Sequence, residues 1–175
     1  PAIEGKINYR LHGKTLVISL PDTLKSNTTY TVNFGRAIKD IREGNTMLNY
    51  QYVFSTGAAI DSFRIAGRVK NVVDGKSKPN LLVMLYRDAD DSAVAKRRPD
   101  YNARTDSSGN FILNHLAAGR YKLFALDDGD FNLKYNMPGE SIAFYDSAIS
   151  IHDTLGLYNL FLFKPESEKQ SVLTA

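Results

Sequence analysis

The chain has 175 residues, enough for one large domain or two small ones. Its 22 basic and 19 acidic residues leave a formal net charge of +3, too small an excess to argue for nucleic acid without a clustered basic face and stacking aromatics. With no cysteine there are no disulfides, thiolate metal sites or cysteine nucleophiles, and no apolar run of about 18 residues marks a membrane-spanning helix.

Ten Tyr and nine Phe, together with frequent Thr and Val, favour β structure. In chain order, Lys6 to Arg10 and Lys14 to Leu20 alternate apolar and polar residues, with a turn at His12-Gly13 and a break at Pro21-Asp22. Residues 29–34 place Tyr30, Val32 and Phe34 on one strand face, and 50–56 form the next strand after a polar crossover. The small-residue stretch 57–62 reads as a connector between two modules.

Residues 63–69 alternate cleanly and open the second module, turns follow at Asp74-Gly75 and Lys78-Pro79-Asn80, and Leu81 to Tyr86 reads as a central, apolar strand. Residues 88–100 read as a loop or one irregular helical turn. Three further strands are expected at 101–105, 110–114 and 120–126. The tetrad Asp106-Ser107-Ser108-Gly109 is a tight turn, with Gly109 able to take positive φ. A long polar insertion covers 127–139, residues 141–144 are extended, and 156–163 close the sheet before Pro165. Most strand aromatics, among them Tyr52, Tyr121 and Phe161, are expected in the core. Strands at this spacing, without a helix of ordinary length, predict an all-β chain of two tandem β-sandwich modules.

Two resemblances sharpen this reading. Leu20-Pro21, Asn27 to Val32, Ala37 to Asp40, Gly44-Asn45 and the closing Phe54-Ser55-Thr56-Gly57 resemble the C-terminal part of a bacterial Ig-like domain. Ile65 to Val69, Pro79 with Val83 to Tyr86, Thr105-Asp106 with Gly109-Asn110-Phe111, and Leu116 with Gly119-Arg120-Tyr121 resemble the carboxypeptidase-regulatory or transthyretin-like sandwich. The domains are therefore expected at 1–58 and 62–165, with 166–175 opening a further segment and both ends reading as cuts within a longer protein. Such pairs are similar to parts of Bacteroidetes envelope lipoproteins. The resemblance implies an extracytoplasmic, noncatalytic structural or interaction module, in the periplasm or at the outer-membrane surface, with a protein or glycan partner. It transfers no catalytic residue. A carbohydrate- or peptide-binding module, or an accessory domain of a larger enzyme, is the alternative.

The acidic run 127–132 is the strongest candidate for site chemistry. Asp128, Asp130 and Asn132 set oxygen donors on alternate residues, as Ca²⁺ favours. The rest departs from a helix–loop–helix calcium loop, since the twelfth position is Gly139 and Glu140 comes one residue late. A polar loop whose Asx-turns satisfy its own backbone is the competing explanation. The three histidines, His12, His115 and His152, fall in separate segments without metal-ligand spacing. His152-Asp153 lacks a Gly-x-Ser-x-Gly partner, Ser107-Ser108 belongs to the hairpin turn, and Glu140 with Asp146 or Asp153 is a weak carboxylate pair. The basic run Lys96-Arg97-Arg98 reads as a solvated loop.

Overall fold

The computed structural model describes residues 7–20, 24–34, 37–40, 42–47, 50–152 and 155–165. The expected break at Pro21-Asp22, the residue Asp153 and the segment 166–175 lie outside them. The chain divides into two compact units, residues 1–62 and 63–175, at the small-residue stretch.

The first unit holds two antiparallel pairs. Strands β1 (Asn8–His12) and β2 (Thr15–Ser19) form a hairpin whose turn uses Gly13 at φ +56°, and β3 (Thr29–Asn33) pairs with β4 (Gln51–Ser55). Tyr30 and Phe54 face each other in register and stack at 5.6 Å. The Tyr30 hydroxyl accepts the Lys25 N–H at 2.8 Å, so this buried phenol fixes the entry into β3. Tyr52, by contrast, is 57% exposed and is not a core residue, although it pairs with Val32 and shares a face with Phe54, whose ring centroid lies 6.1 Å away.

The second unit is built from two sheets. Its strands are β5 (Phe63–Asn71), β6 (Leu82–Arg87), β7 (Tyr101–Arg104), β8 (Asn110–Leu116), β9 (Gly119–Leu126), β10 (Ile142–Phe144), β11 (Ile149–Ile151) and β12 (Leu155–Leu162). One sheet runs β10-β9-β6-β7, with β11 also pairing to β9; the other runs β12-β5-β8. The β12–β5 pair is parallel and the others are antiparallel.

Strict alternation explains how β6 is apolar throughout. Val83 and Leu85 pack with Tyr121, Leu123 and Ala125 of β9 against Ile65, Val69, Phe111, Leu113, Leu160 and Leu162 of the facing sheet. Leu82, Met84 and Tyr86 point the other way and form a second cluster with Phe124, Leu126, Ile142 and Val94. Val94 belongs to α1 (Ala93–Lys96), the single helical turn within the stretch 88–100. Each fully buried Leu, Val or Phe side chain contributes roughly 1.5–3 kcal/mol of transfer free energy. Along β12, Leu160 and Leu162 face the core while Phe161 is 57% exposed, so this aromatic is not a core residue. Phe163 packs against the outer cluster and meets Phe144 edge-on at 5.9 Å.

In the turn between β7 and β8, Thr105, Asp106 and Gly109 each have a distinct part. The buried Thr105 hydroxyl accepts the Leu81 N–H at 3.0 Å and donates to the Lys78 carbonyl at 2.9 Å, tying the turn to the start of β6. The Asp106 carboxylate accepts the N–H groups of Ser108 and Asn110, both at 2.8 Å. Gly109 takes φ +77° and sits so close to Val69 that a Cβ would lie 2.6 Å from its carbonyl oxygen.

Candidate functional site: the acidic loop 127–140

The loop leaves β9 at Leu126 and returns at β10. Those strands pair Leu126 with Ile142, and the Asp127 N–H donates to the Ser141 carbonyl at 2.9 Å, which closes the neck. Loops of this kind, with adjacent ends, hold their shape through their own side chains. Leu133 and Tyr135 anchor it to the outer cluster, and the Tyr135 N–H donates to the carbonyl of Val94 at 2.9 Å. Phe131 and Leu133 take φ +59° and +65°, conformations that cost a non-glycine residue about 1 kcal/mol or more each.

Asp128 is the buried member, 5% exposed, with its Oδ2 3.4 Å from Arg104 Nη2 at the end of β7. Arg104 also donates to the Asn80 carbonyl at 2.8 Å and lies 5.1 Å over the Phe131 ring. Asp128 Oδ1 is buried without a hydrogen-bond partner. Burial pushes the Asp128 carboxyl up; the Leu133 N–H, Arg104 and the Asn132 N–H pull it down, and the neighbouring Asp130 adds to the rise. Lys78 pairs with Asp127 at the neck.

Glu140, 6% exposed, gathers the loop from within. Its carboxylate accepts the N–H of Gly129 at 3.3 Å and those of Asn136 and Met137 at 3.1 Å each. Asp130 is exposed, and its oxygens accept from the Asn132 N–H at 3.2 Å and the Asn132 amide at 2.6 Å. Asn132 Oδ1 accepts the Lys134 N–H at 2.7 Å. The expected Asx-turns are therefore present at Asp130 and Asn132. Among the described residues, Asp128, Asp130 and Glu140 are the group of three His, Cys, Asp or Glu side chains that could hold a metal ion, with ligand oxygens within 4.8 Å of one another. Sequence spacing alone ranked Asn132 in this set; Glu140 enters it because the loop folds back.

The other sequence candidates are dispersed. His12 ends β1, His115 lies on β8 and His152 follows β11. Ser107 and Ser108 sit in the turn capped by Asp106. Asp146 is exposed, while the Glu140 carboxylate is occupied inside its own loop. In the basic run, Arg97 pairs with Asp100 at 2.9 Å and lies 5.1 Å over the Tyr86 ring, which gives it a packing role. No helix among the described residues is long and apolar enough to cross a membrane.

The first unit presents a different feature. Between its two hairpins lies an open apolar cavity of about 420 Å³, whose walls include Leu16, Ile18, Val32, Phe34, Tyr52 and Phe54.

No curated protein matches the chain. Among solved structures it is similar to the pilus adhesin RrgA from Streptococcus pneumoniae, at 17% identity and a TM-score of 0.31, over 85% of this chain and 22% of that one. The chain thus spans about a fifth of the length of that structure. An Ig-like β-module is a structural and interaction element rather than a catalyst. Residues 1–56 match the bacterial Ig-like domain family, so the first unit is homologous to an Ig-like β-domain.

Proposed function

We propose that this chain is a noncatalytic structural or interaction segment of a bacterial cell-envelope protein, in which the end of an Ig-like domain leads into a transthyretin-like sandwich. The observation that carries the reading is the bacterial Ig-like match over 1–56, joined to a second unit that is again two facing β-sheets. The Thr105–Asp106–Gly109 turn chemistry supports the transthyretin-like assignment of residues 62–165. The parent is an extracytoplasmic protein of the Bacteroidetes lipoprotein type, in the periplasm or on the outer-membrane surface. Fractionation of native cells, with protease treatment of intact cells, tests this. Recovery in the envelope fraction supports it, and recovery in the cytoplasm alone sinks it.

A second reading, a carbohydrate- or peptide-binding module, draws on the apolar cavity of the first unit and the exposed Tyr52 on its wall. NMR titration with soluble oligosaccharides and with extended β-forming peptides distinguishes it. Shifts clustered at Leu16, Val32 and Tyr52 favour this reading, whereas unchanged spectra with both ligand classes remove it.

A further inference from the structure

Three carboxylates from two ends of one loop meet in a space suited to a single ion. Two oxygens bound to the same Ca²⁺, at 2.3–2.6 Å each, stand no more than about 5 Å apart. The ligand oxygens of Asp128, Asp130 and Glu140 lie within 4.8 Å of one another and meet that ceiling. Proximity of acidic groups is common, and the decisive observation is a different one. Asp128 Oδ1 is buried with no hydrogen bond of ordinary geometry, although the Leu133 and Asn132 N–H groups are near enough to favour the charged carboxylate, and its sister oxygen is faced by Arg104 at 3.4 Å. A carboxylate oxygen removed from water needs a donor, a proton or a cation.

The surrounding loop prepares the other two ligands. Asn132 holds Asp130 through its main-chain and side-chain N–H groups, and the N–H groups of Gly129, Asn136 and Met137 hold Glu140. Asp130 Oδ1, Asp130 Oδ2 and Glu140 Oε1 each accept one of these hydrogen bonds and keep a free lone-pair direction, whereas Glu140 Oε2 accepts two. The donor set is entirely oxygen, without imidazole or thiolate, which selects Ca²⁺ or Mg²⁺ over zinc or copper. Asp130 is exposed, so the cluster opens to solvent on its side, and water molecules there would complete the coordination.

We propose that Asp128, Asp130 and Glu140 bind one divalent cation, Ca²⁺ in preference to Mg²⁺, which supplies the missing partner of Asp128 Oδ1 and joins the outgoing and returning arms of the loop. Asn132 acts as a positioning residue for Asp130. This proposal goes beyond the envelope-module reading and does not depend on it.

The test is calorimetric titration of the full chain, stripped with chelator, with Ca²⁺ alone and then Mg²⁺ alone, alongside thermal unfolding at each concentration. One saturable site is expected, with a Kd on the order of 10⁻⁴–10⁻³ M or tighter, and a melting temperature that climbs with Ca²⁺ concentration. Asp128→Asn, Asp130→Asn and Glu140→Gln should each weaken binding by about tenfold or more, a loss of about 1.4 kcal/mol or more. If the two buried variants do not fold, Asp130→Asn decides alone, since its side chain is exposed. No saturable heat and no melting shift up to about ten times the weakest Kd expected for extracellular calcium modules would overturn the proposal, leaving a proton on the carboxyl cluster. Ca²⁺ binding that Asp130→Asn leaves unchanged, or Mg²⁺ binding as tight as Ca²⁺, would overturn it as well.

Discussion

Replacing Gly67 by alanine should open the β12–β5–β8 sheet. Gly67 lies in β5, opposite Tyr158 on one side and Phe111 on the other. A Cβ there would stand 1.8 Å from the Tyr158 carbonyl oxygen and 2.7 Å from the Phe111 ring. Carbon–oxygen contacts settle near 3.3 Å, so either the oxygen retreats by about 1.5 Å or the parallel pair separates. Phe111 is 2% exposed and packed in the core, so its ring has no vacant space to enter. Overpacking costs about 1–3 kcal/mol and sometimes more, and main chain on one side with a buried ring on the other puts this site at the upper end. Alanine returns about 0.5–1 kcal/mol of chain entropy, for a net loss of about 2–3 kcal/mol. With a urea slope near 2 kcal/mol/M, the unfolding midpoint followed by circular dichroism should fall by about 1–1.5 M. Gly129→Ala is the matched control: its Cβ would meet nothing within 4 Å, and its midpoint should stay within about 0.3 M of the parent or rise slightly. A Gly67→Ala midpoint indistinguishable from that control would refute the reasoning.

Three further outcomes are expected. Leu85→Ala removes a side chain with 0% exposure between the two sheets and should cost about 2–5 kcal/mol in urea unfolding, whereas Leu157→Ala, 76% exposed, should change stability by less than about 0.5 kcal/mol; equal effects would contradict the placement of the core. The Asn110 N–H, the Asn110 amide and the Ser108 N–H hold the Asp106 carboxyl below its ordinary value. The sign follows from linkage: a depressed carboxyl adds stability that is full above the unfolded value near 4 and fades as pH falls through the folded one. The gap in urea midpoint between parent and Asp106→Asn should therefore be constant near neutrality and close in acid, and a gap that widens in acid would count against it. Burial pushes the Tyr86 and Tyr121 phenols upward. Their contribution is complete below the unfolded value near 10 and is lost as pH rises above it. Tyrosinate absorbance should accordingly appear for these two groups together with unfolding, and Tyr86→Phe with Tyr121→Phe should reduce that late component; an unchanged late component would exclude this assignment.

Much of the second unit was legible because its signals are local. Asp106 to Gly109 spells its own turn through short side chains and a positive φ. The alternation Tyr121, Leu123, Ala125 marks the inward face of β9, and the unbroken run 82–86 marks a strand covered on both faces. Strand β11 was not anticipated, since three residues carry too little alternation to stand out. Phe161 was expected inside, because apolarity alone does not tell which side of an outer strand remains uncovered. The acidic loop illustrates the same limit at the site. Spacing of two residues brought Asp128, Asp130 and Asn132 to notice, but Glu140 joins Asp128 through a chain reversal held by main-chain N–H groups, and those leave no trace in residue identity.

The pairing of β12 with β5 also sets the order of events when the second unit assembles. Arg64 aligns with Leu155 and Asn71 with Leu162, a separation of 91 residues along the chain in both cases (155 − 64 and 162 − 71). Closing so long a loop costs entropy before any parallel bonds return it, which places this sheet among slow, non-local folders. On the ribosome, β5 would emerge first and wait for β12, its central position in the β12-β5-β8 sheet completed last. A nascent chain halted before residue 155 would carry one unpaired edge of β5, and that edge is where a chaperone or a second nascent chain would attach.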